Sequence, residues 1–237
     1  LLWLGFSDQI WSLWNVLVEC SISPYTPMTR QTLETIPIQR ILFKNTQVLS
    51  NTKPINQTLF AGDIAWVEGK NGVGKTSLLR ALKPQQALHG GSIILEPTSR
   101  ASICVVTAYM QPSRGRVCDY LDCKTADLVG LKHHIESLPS QYQTSIDHLP
   151  NWSMGMLQKI SLGWAIQQNA SIYLLDECCH HLPISEELSF YKHLKEYRPK
   201  AIIMVVSHQL NRKLFQLAFP DGRHIILTPT NCQPILN

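Results

Sequence analysis

The chain has 237 residues, enough for one large domain or two small ones, and its 44% hydrophobic and 16% charged residues suit a packed core with ordinary solubility. The net charge of +4 comes from scattered basic residues and is too weak to argue nucleic-acid binding. Seven cysteines (Cys20, Cys104, Cys118, Cys123, Cys178, Cys179 and Cys232) make an odd count in a long chain, which argues against a disulfide framework and for a reducing compartment. No apolar stretch reaches the roughly 18–20 residues that span a bilayer, so a membrane role is expected to run through a partner, with this chain not the pore.

Residues 1–27 differ from the rest. They hold Trp3, Trp11 and Trp14, two acids (Asp8 and Glu19), and neither Lys nor Arg. A mitochondrial transit peptide would be rich in Arg and poor in acids, and a secretory signal would open on positive charge, so neither fits. The first methionine is Met28, and the stretch before it reads as an extension or as an artefact of the assigned start. The alternative is an amphipathic helix leaning on a membrane partner.

From Ile38 onward short apolar runs alternate with amphipathic segments, the pattern of an α/β domain. Ile64-Ala65-Trp66-Val67 predicts a strand entering a glycine turn, and a helix follows through Ser77–Leu82. Ser92–Leu95 and Ile103–Val106 predict further strands. The stretch 112–150 shows no strong strand and has a short helix over Leu131–Leu138, so an inserted helical subdomain is expected at about 112–168. Within it, residues 156–168 predict an amphipathic helix with Leu157, Ile160, Trp164 and Ala165 on one face. Ile172–Leu175 and Ile202–Val206 are continuous apolar runs, as buried parallel strands require. A helix from about Ser185 to Tyr197 lies between them.

The strongest motif is Gly69-Lys70-Asn71-Gly72-Val73-Gly74-Lys75-Thr76, which satisfies G-x-x-x-x-G-K-[ST] in the strand–loop–helix context that its mechanism needs. The glycines let backbone N–H groups curl around phosphates, and the following helix start adds positive charge. Lys75 is expected to reach the β- and γ-phosphates and Thr76 to ligate Mg²⁺, with Ser77 completing the ATP-binding set. The strand Ile172–Leu175 ends in Asp176-Glu177. Asp176 would hold Mg²⁺ through a water, and Glu177 would polarise the attacking water. His208 follows the strand that ends in Ser207, at the edge where α/β sheets bind ligands, and could hydrogen-bond the γ-phosphate.

The order of phosphate loop, Gln111, Ser153-Met154-Gly155, Asp176-Glu177 and His208 resembles the ATP-binding-cassette (ABC) ATPases along nearly all of residues 38–210. That resemblance implies a P-loop NTPase fold with an ABC-type core sheet and an inserted helical subdomain, making one ATP-binding domain over residues 28–237. It implies ATP and Mg²⁺ as cofactors. Gln111 would be the Q-loop residue that senses the γ-phosphate and Mg²⁺ and faces the membrane partner. Trp152-Ser153-Met154-Gly155-Met156 stands where the family reads L-S-G-G-Q, and Ser153 and Gly155 would cap the ATP of a second copy arranged head to tail. The region Val67–Arg80 and the S-M-G signature are similar to the haem exporter ATPase of cytochrome c maturation, the CcmA type. The implied partners are an integral membrane transporter subunit, a second copy of the chain and cytochrome c maturation components, with no nucleic acid. Drifted motifs and the unusual start point to an organelle-encoded gene. The expected location is the matrix side of the mitochondrial inner membrane, with the cytoplasmic face of a bacterial inner membrane as the alternative.

Several positions depart from the family pattern. The run usually read D-E-P-T-S-A-L-D is Asp176-Glu177-Cys178-Cys179-His180-His181-Leu182-Pro183, so Pro183 replaces the D-loop aspartate. Slow or asymmetric turnover is the implication. No aromatic in 44–52 can stack on adenine, and Phe43 is only a weak candidate. Cys178-Cys179-His180-His181 invites a zinc or haem reading, but adjacent ligands on one turn converge poorly on one ion, so a drifted D-loop is the preferred reading. Two other functions compete with a transporter ATPase. A soluble cassette acting on ribosomes or DNA generally carries a second cassette or a long insertion before the signature, and the segment from Lys75 to Ser153 has no room for one. A nucleotide-binding assembly scaffold is favoured by the altered D-loop and opposed by Glu177.

Overall fold

The computed structural model describes residues 21–22, 38–83, 87–97, 101–112, 114–148 and 152–230. Apart from Ser21 and Ile22, the stretch expected to be an extension lies outside the described residues. The strands in chain order are β1 (Ser21–Ile22), β2 (Arg40–Gln47), β3 (Ile55–Phe60), β4 (Ile64–Glu68), β5 (Gly90–Glu96), β6 (Ile103–Thr107), β7 (Gln111–Pro112), β8 (Ile172–Asp176), β9 (Ile202–Val206) and β10 (Arg223–Ile226). The helices are α1 (Lys75–Arg80), α2 (Val117–Tyr120), α3 (Cys123–Leu128), α4 (Lys132–Glu136), α5 (Met154–Gln167), α6 (Ile184–Tyr197) and α7 (Arg212–Ala218). They fall into two compact units, one built on Thr107–Gln167, the other on Gln31–Val106 and Gln168–Asn237. Among the described residues no helix is long and apolar enough to cross a membrane.

The larger unit holds two sheets. The first has the order β10-β4-β9-β8-β6, and β10, β4, β9 and β8 run parallel to one another. Ile172, Tyr173, Leu174 and Leu175 are buried, as are all five residues of β9, so these strands are covered on both faces. That is why they read as unbroken apolar runs rather than alternating ones. Helix α1 packs on β8 and β9, and Leu78 and Leu79 carry it into the core.

The second sheet, β3-β2-β5, is antiparallel. Only its β5 strand was expected from sequence. A register shift after Phe43 and Lys44 hides β2, and Asn45 adopts a left-handed φ of 48° there. The bulge breaks the alternation that marks a half-buried strand. Opposite it Gly91 is obligatory in practice, because a Cβ there would lie 2.1 Å from the Asn45 carbonyl oxygen. Phe43 on this strand is 2% exposed and belongs to the core. The weak expectation that it stacks on adenine is therefore corrected, since the ring faces the core.

The smaller unit gathers α2, α3, α4 and α5 with β7, which pairs in parallel with β1. Asp122 caps α3 by accepting a 2.7 Å hydrogen bond from the Thr125 backbone N–H. The face expected on α5 needs correction. Ile160 and Ala165 are buried, but Leu157 and Trp164 are only half-buried, while Gln158, Ser161 and Gly163 are buried. Helices α2 and α3 and strand β7 surround α5, so it has no single wet face. Two of its polar residues are satisfied inside: Ser161 Oγ donates to the Met110 carbonyl at 2.9 Å, and Gln167 Nε2 to Thr125 Oγ1 at 2.8 Å.

The edge strand β10 brings a histidine into an aromatic nest. The His224 ring lies 5.5 Å from Trp66 and 5.0 Å from Phe215, edge-on to both. Both its ring nitrogens are buried without a hydrogen-bond partner. Burial holds its pKa below the usual histidine value, and Arg212 pushes the same way, against Glu68. The folded pKa is depressed, so the unfolded chain takes up a proton first as pH falls. The contribution of a neutral His224 is full above about pH 6.5 and is lost as pH drops through its folded pKa. In thermal unfolding, the Tm of the parent should therefore fall more between pH 7.5 and 5.5 than that of His224→Phe. An equal fall in both would show that His224 is not the group responsible.

Candidate functional site

The chemistry-bearing residues of the larger unit sit where three neighbouring parallel strands end. In register, Leu175 stands beside Val205 and Val205 beside Trp66. The chain therefore leaves β8 as Asp176-Glu177, β9 as Ser207-His208 and β4 as the loop Gly69–Gly74, all at one edge. The C-terminal edge of a parallel sheet is where such folds place ligand sites, because the connections there are free to diverge.

Gly74 enters α1 with φ 98°, a left-handed conformation that side chains avoid, and no side chain caps the helix. A turn inside the loop joins the Val73 N–H to the Lys70 carbonyl at 3.3 Å. Val73 is buried while Lys70, Asn71 and Gly72 are exposed, so the loop is anchored at one point and open along its rim. A Cβ on Gly69 would meet Val73 Cγ1 at 2.7 Å and the Leu227 carbonyl oxygen at 2.9 Å, which keeps that position to glycine. Lys75 is only 8% exposed. Its Nζ curls back over the loop and donates to the carbonyls of Gly69 at 2.9 Å and Lys70 at 3.3 Å. The cation is thus held inside the concave side of the loop. Beside Gly74 stands Leu49, whose Cδ1 would be 3.2 Å from a Cβ there. Sequence gave no signal for that contact.

Asp176 and Thr76 come together. Burial pushes the Asp176 carboxyl above the usual carboxylate range and Glu177 adds to the push; a hydrogen bond with the Thr76 side chain opposes it, as do the charges of Arg80 and Lys75. Asp176 Oδ1 is buried with no hydrogen-bond partner. A buried carboxylate oxygen left unpaired next to a hydroxyl suits a hard divalent cation, which takes oxygen ligands only. The residues present therefore fit Mg²⁺.

Glu177 and His208 also meet: His208 Nε2 is 2.6 Å from Glu177 Oε1. The Glu177 backbone is in the left-handed region at φ 54°, and its N–H donates to the Val206 carbonyl at 2.9 Å. This departure from β8 aims the side chain toward His208. Gln209, which sequence reasoning missed, ties the two turns together. Its Nε2 donates to the carbonyls of Cys179 at 3.2 Å and Leu182 at 3.0 Å.

Cys178 and Cys179 are buried with their sulfurs 3.8 Å apart, whereas His180 and His181 are exposed. Thiols point in and imidazoles out, so the four cannot converge on one ion. Among the described residues no group of three or more His, Cys, Asp or Glu could hold a metal by itself. Burial raises the Cys179 thiol well above its ordinary pKa, and neighbouring Cys178 adds to it, which leaves it inert. Pro183 stands at the start of α6.

Gln111, Ser153 and Gly155 belong to the smaller unit. Ser153 begins α5: its Oγ accepts from the Met156 N–H at 3.2 Å. Gln111 Nε2 lies 3.7 Å from the sulfur of Met154, between Ser153 and Gly155.

Residues 52–180 match the family model of ABC transporters. The chain is 29% identical over 210 residues to the zinc import ATP-binding protein ZnuC of Haemophilus ducreyi, covering 80% of this chain and 74% of that one. It is 27% identical over 186 residues to the ATP-binding protein Uup of Buchnera aphidicola, covering 71% of this chain and 29% of that protein. The structure of a bacterial Atm1-family ABC exporter with ATP bound superposes with a TM-score of 0.65 at 16% identity, over 81% of this chain and 37% of that chain. The chain thus spans about a third of the length of two of these proteins and about three quarters of the importer subunit. The fold is that of a P-loop NTPase with a parallel sheet and helices, and the chain belongs to the ABC transporter family.

Proposed function

We propose that this chain binds Mg-ATP on the loop 69–76 and hydrolyses it, as the ATPase subunit of a transporter whose membrane subunit is a separate partner. The observation that carries this reading is the convergence of Lys75, the Thr76–Asp176 pair and the Glu177–His208 pair at the ends of β4, β8 and β9.

Each residue has a task that follows from its position. Lys75 exchanges its loop carbonyls for β- and γ-phosphate oxygens, which are stronger acceptors because they are charged. Thr76 and Asp176 would hold Mg²⁺, which when bound neutralises phosphate charge. Glu177, with Oε1 held by His208, keeps its other oxygen for a water. It takes that water's proton as the oxygen attacks the γ-phosphorus and the bond to the ADP oxygen breaks. His208 steadies the carboxylate and can donate to the γ-phosphate as charge shifts. The assignments that rest on the resemblance belong to the same proposal: Gln111 as sensor and Mg²⁺ contact, and Ser153 and Gly155 as the cap on a second copy's ATP.

At the finer level we favour the haem exporter ATPase of cytochrome c maturation, acting peripherally on the matrix side of the mitochondrial inner membrane. The Val67–Arg80 region and the Ser153-Met154-Gly155 signature support it. The membrane subunit would carry the cargo selectivity, and copurification from native membranes identifies that subunit.

Lys75→Ala should weaken Mg-ATP binding by about 10–100-fold, the worth of one charge-assisted contact. Equal affinity in mutant and parent by equilibrium dialysis would overturn the phosphate-loop assignment. Glu177→Gln should lower single-turnover hydrolysis by about 10²–10⁴-fold with ATP affinity kept, and His208→Ala should lower it as well. Equal rates in parent and Glu177→Gln would turn the reading toward a nucleotide-binding scaffold. In sedimentation, Glu177→Gln should be dimeric with ATP and monomeric without it, and a monomer in both conditions counts against head-to-tail pairing.

A further inference from the structure

The core-facing stripe of α6 is Glu187, Phe190, Tyr191 and Leu194, spaced i, i+3, i+4, i+7 as a helix lays one face on a core. Its first member is a carboxylate 1% exposed, although Leu188 next to it is left half-buried. Glutamates are almost never buried this fully unless paired. Glu187 is paired on one side only. The Tyr191 hydroxyl donates to Oε1 at 2.7 Å, while Oε2 is buried with no hydrogen-bond partner.

Glu187 is also one wall of a small chamber that reaches Glu177, His180, Ser207 and His208. Its volume is about 10 Å³, close to the least that holds one water, and its polar walls offer the two to four partners a buried water needs. Those walls are pinned. Gln209 holds the Cys179–Leu182 turn, and its own N–H donates to Ser207 Oγ at 3.1 Å. We propose that Glu187 is a positioning residue for hydrolysis: with Ser207 it holds one ordered water in this chamber, and through that water it fixes the orientation of the Glu177–His208 pair.

Three observations support the assignment, which rests on the roles given above to Glu177 and His208. The pair is partly exposed on its outer side, with side-chain accessibilities of 32% and 44%, so solvent competes for its hydrogen bonds there and only the inner side can supply fixed support. A cap on the helix dipole does not explain the burial, because Glu186 in the same first turn serves that purpose while less buried. Burial also pushes the Glu187 carboxyl up, with the nearby Ser207 and Tyr191 hydroxyls opposing the push, toward a neutral acid that can donate as well as accept.

The test uses the purified full chain and the double variant Glu187→Leu/Tyr191→Phe, which removes the carboxyl and the hydroxyl paired with it and leaves neither as an orphan. We expect kcat for ATP hydrolysis to fall about 10-fold or more, with KM, ATP affinity and Tm near the parent. Glu187→Gln keeps the shape with one donor and one acceptor, and should retain the parental kcat. A folded double variant with parental kcat overturns the inference, while the loss in Glu177→Gln would still stand. If the double variant does not fold, Ser207→Ala decides: a fall in kcat at unchanged KM supports the water, and a parental kcat overturns it. Equal rates in parent and Glu177→Gln would remove the ATPase reading and this inference with it.

Discussion

Parallel pairing of β4, β9 and β8 is the constraint on which the rest of the site depends. Because the strands run the same way in one register, the residues that leave them emerge side by side at a single edge. A strand is stiff, so the loop after β4, the acid pair after β8 and the histidine after β9 inherit its precision. The apolar rows behind them, including Leu174, Met204 and Ala65, are fully buried. Packing of that density resists the small displacements that would separate Glu177 from His208.

Charge in the site is arranged against desolvation. Lys75 is buried and hydrogen-bonded to carbonyls rather than to a carboxylate, so its ammonium group can turn to an anion without breaking an ion pair. Asp176 has the opposite problem, a buried acid whose nearest acidic neighbour raises its pKa further. A cation beside it relieves that cost, and bound nucleotide phosphates relieve the cost at Lys75. Ligand and protein charges thus complete each other. In a poorly solvated pocket these interactions are stronger than they would be in water.

The turn from Cys178 to Pro183 shows how a drifted motif can keep its geometry. Two buried thiols stand where the family reads proline and threonine, and they fit because a free cysteine packs as a small hydrophobe. Gln209 then supplies the hydrogen bonds that hold the turn against the end of β9. The altered residues change what the turn presents at its outer side, where His180 and His181 stand.

The sequence by itself determined the α/β class, the central strands β4, β8 and β9, and the phosphate loop with its acid pair. In each case the chemistry is local: an apolar run covered on both faces, or glycines and a lysine on one turn. It could not show β2, because a bulge at Asn45 interrupts the alternation, nor the surroundings of α5, because burial on all sides erases a one-sided pattern. Phe43 looked eligible for adenine because nothing in sequence says which way a ring faces. The tertiary structure decided that, and it decided the pairs: Thr76 with Asp176, Glu177 with His208, Glu187 with Tyr191. Two of these three pairs join residues far apart in the chain, and their contact exists only because parallel strands bring distant segments to one edge. The third lies within one helix, but its burial depends on what α6 packs against.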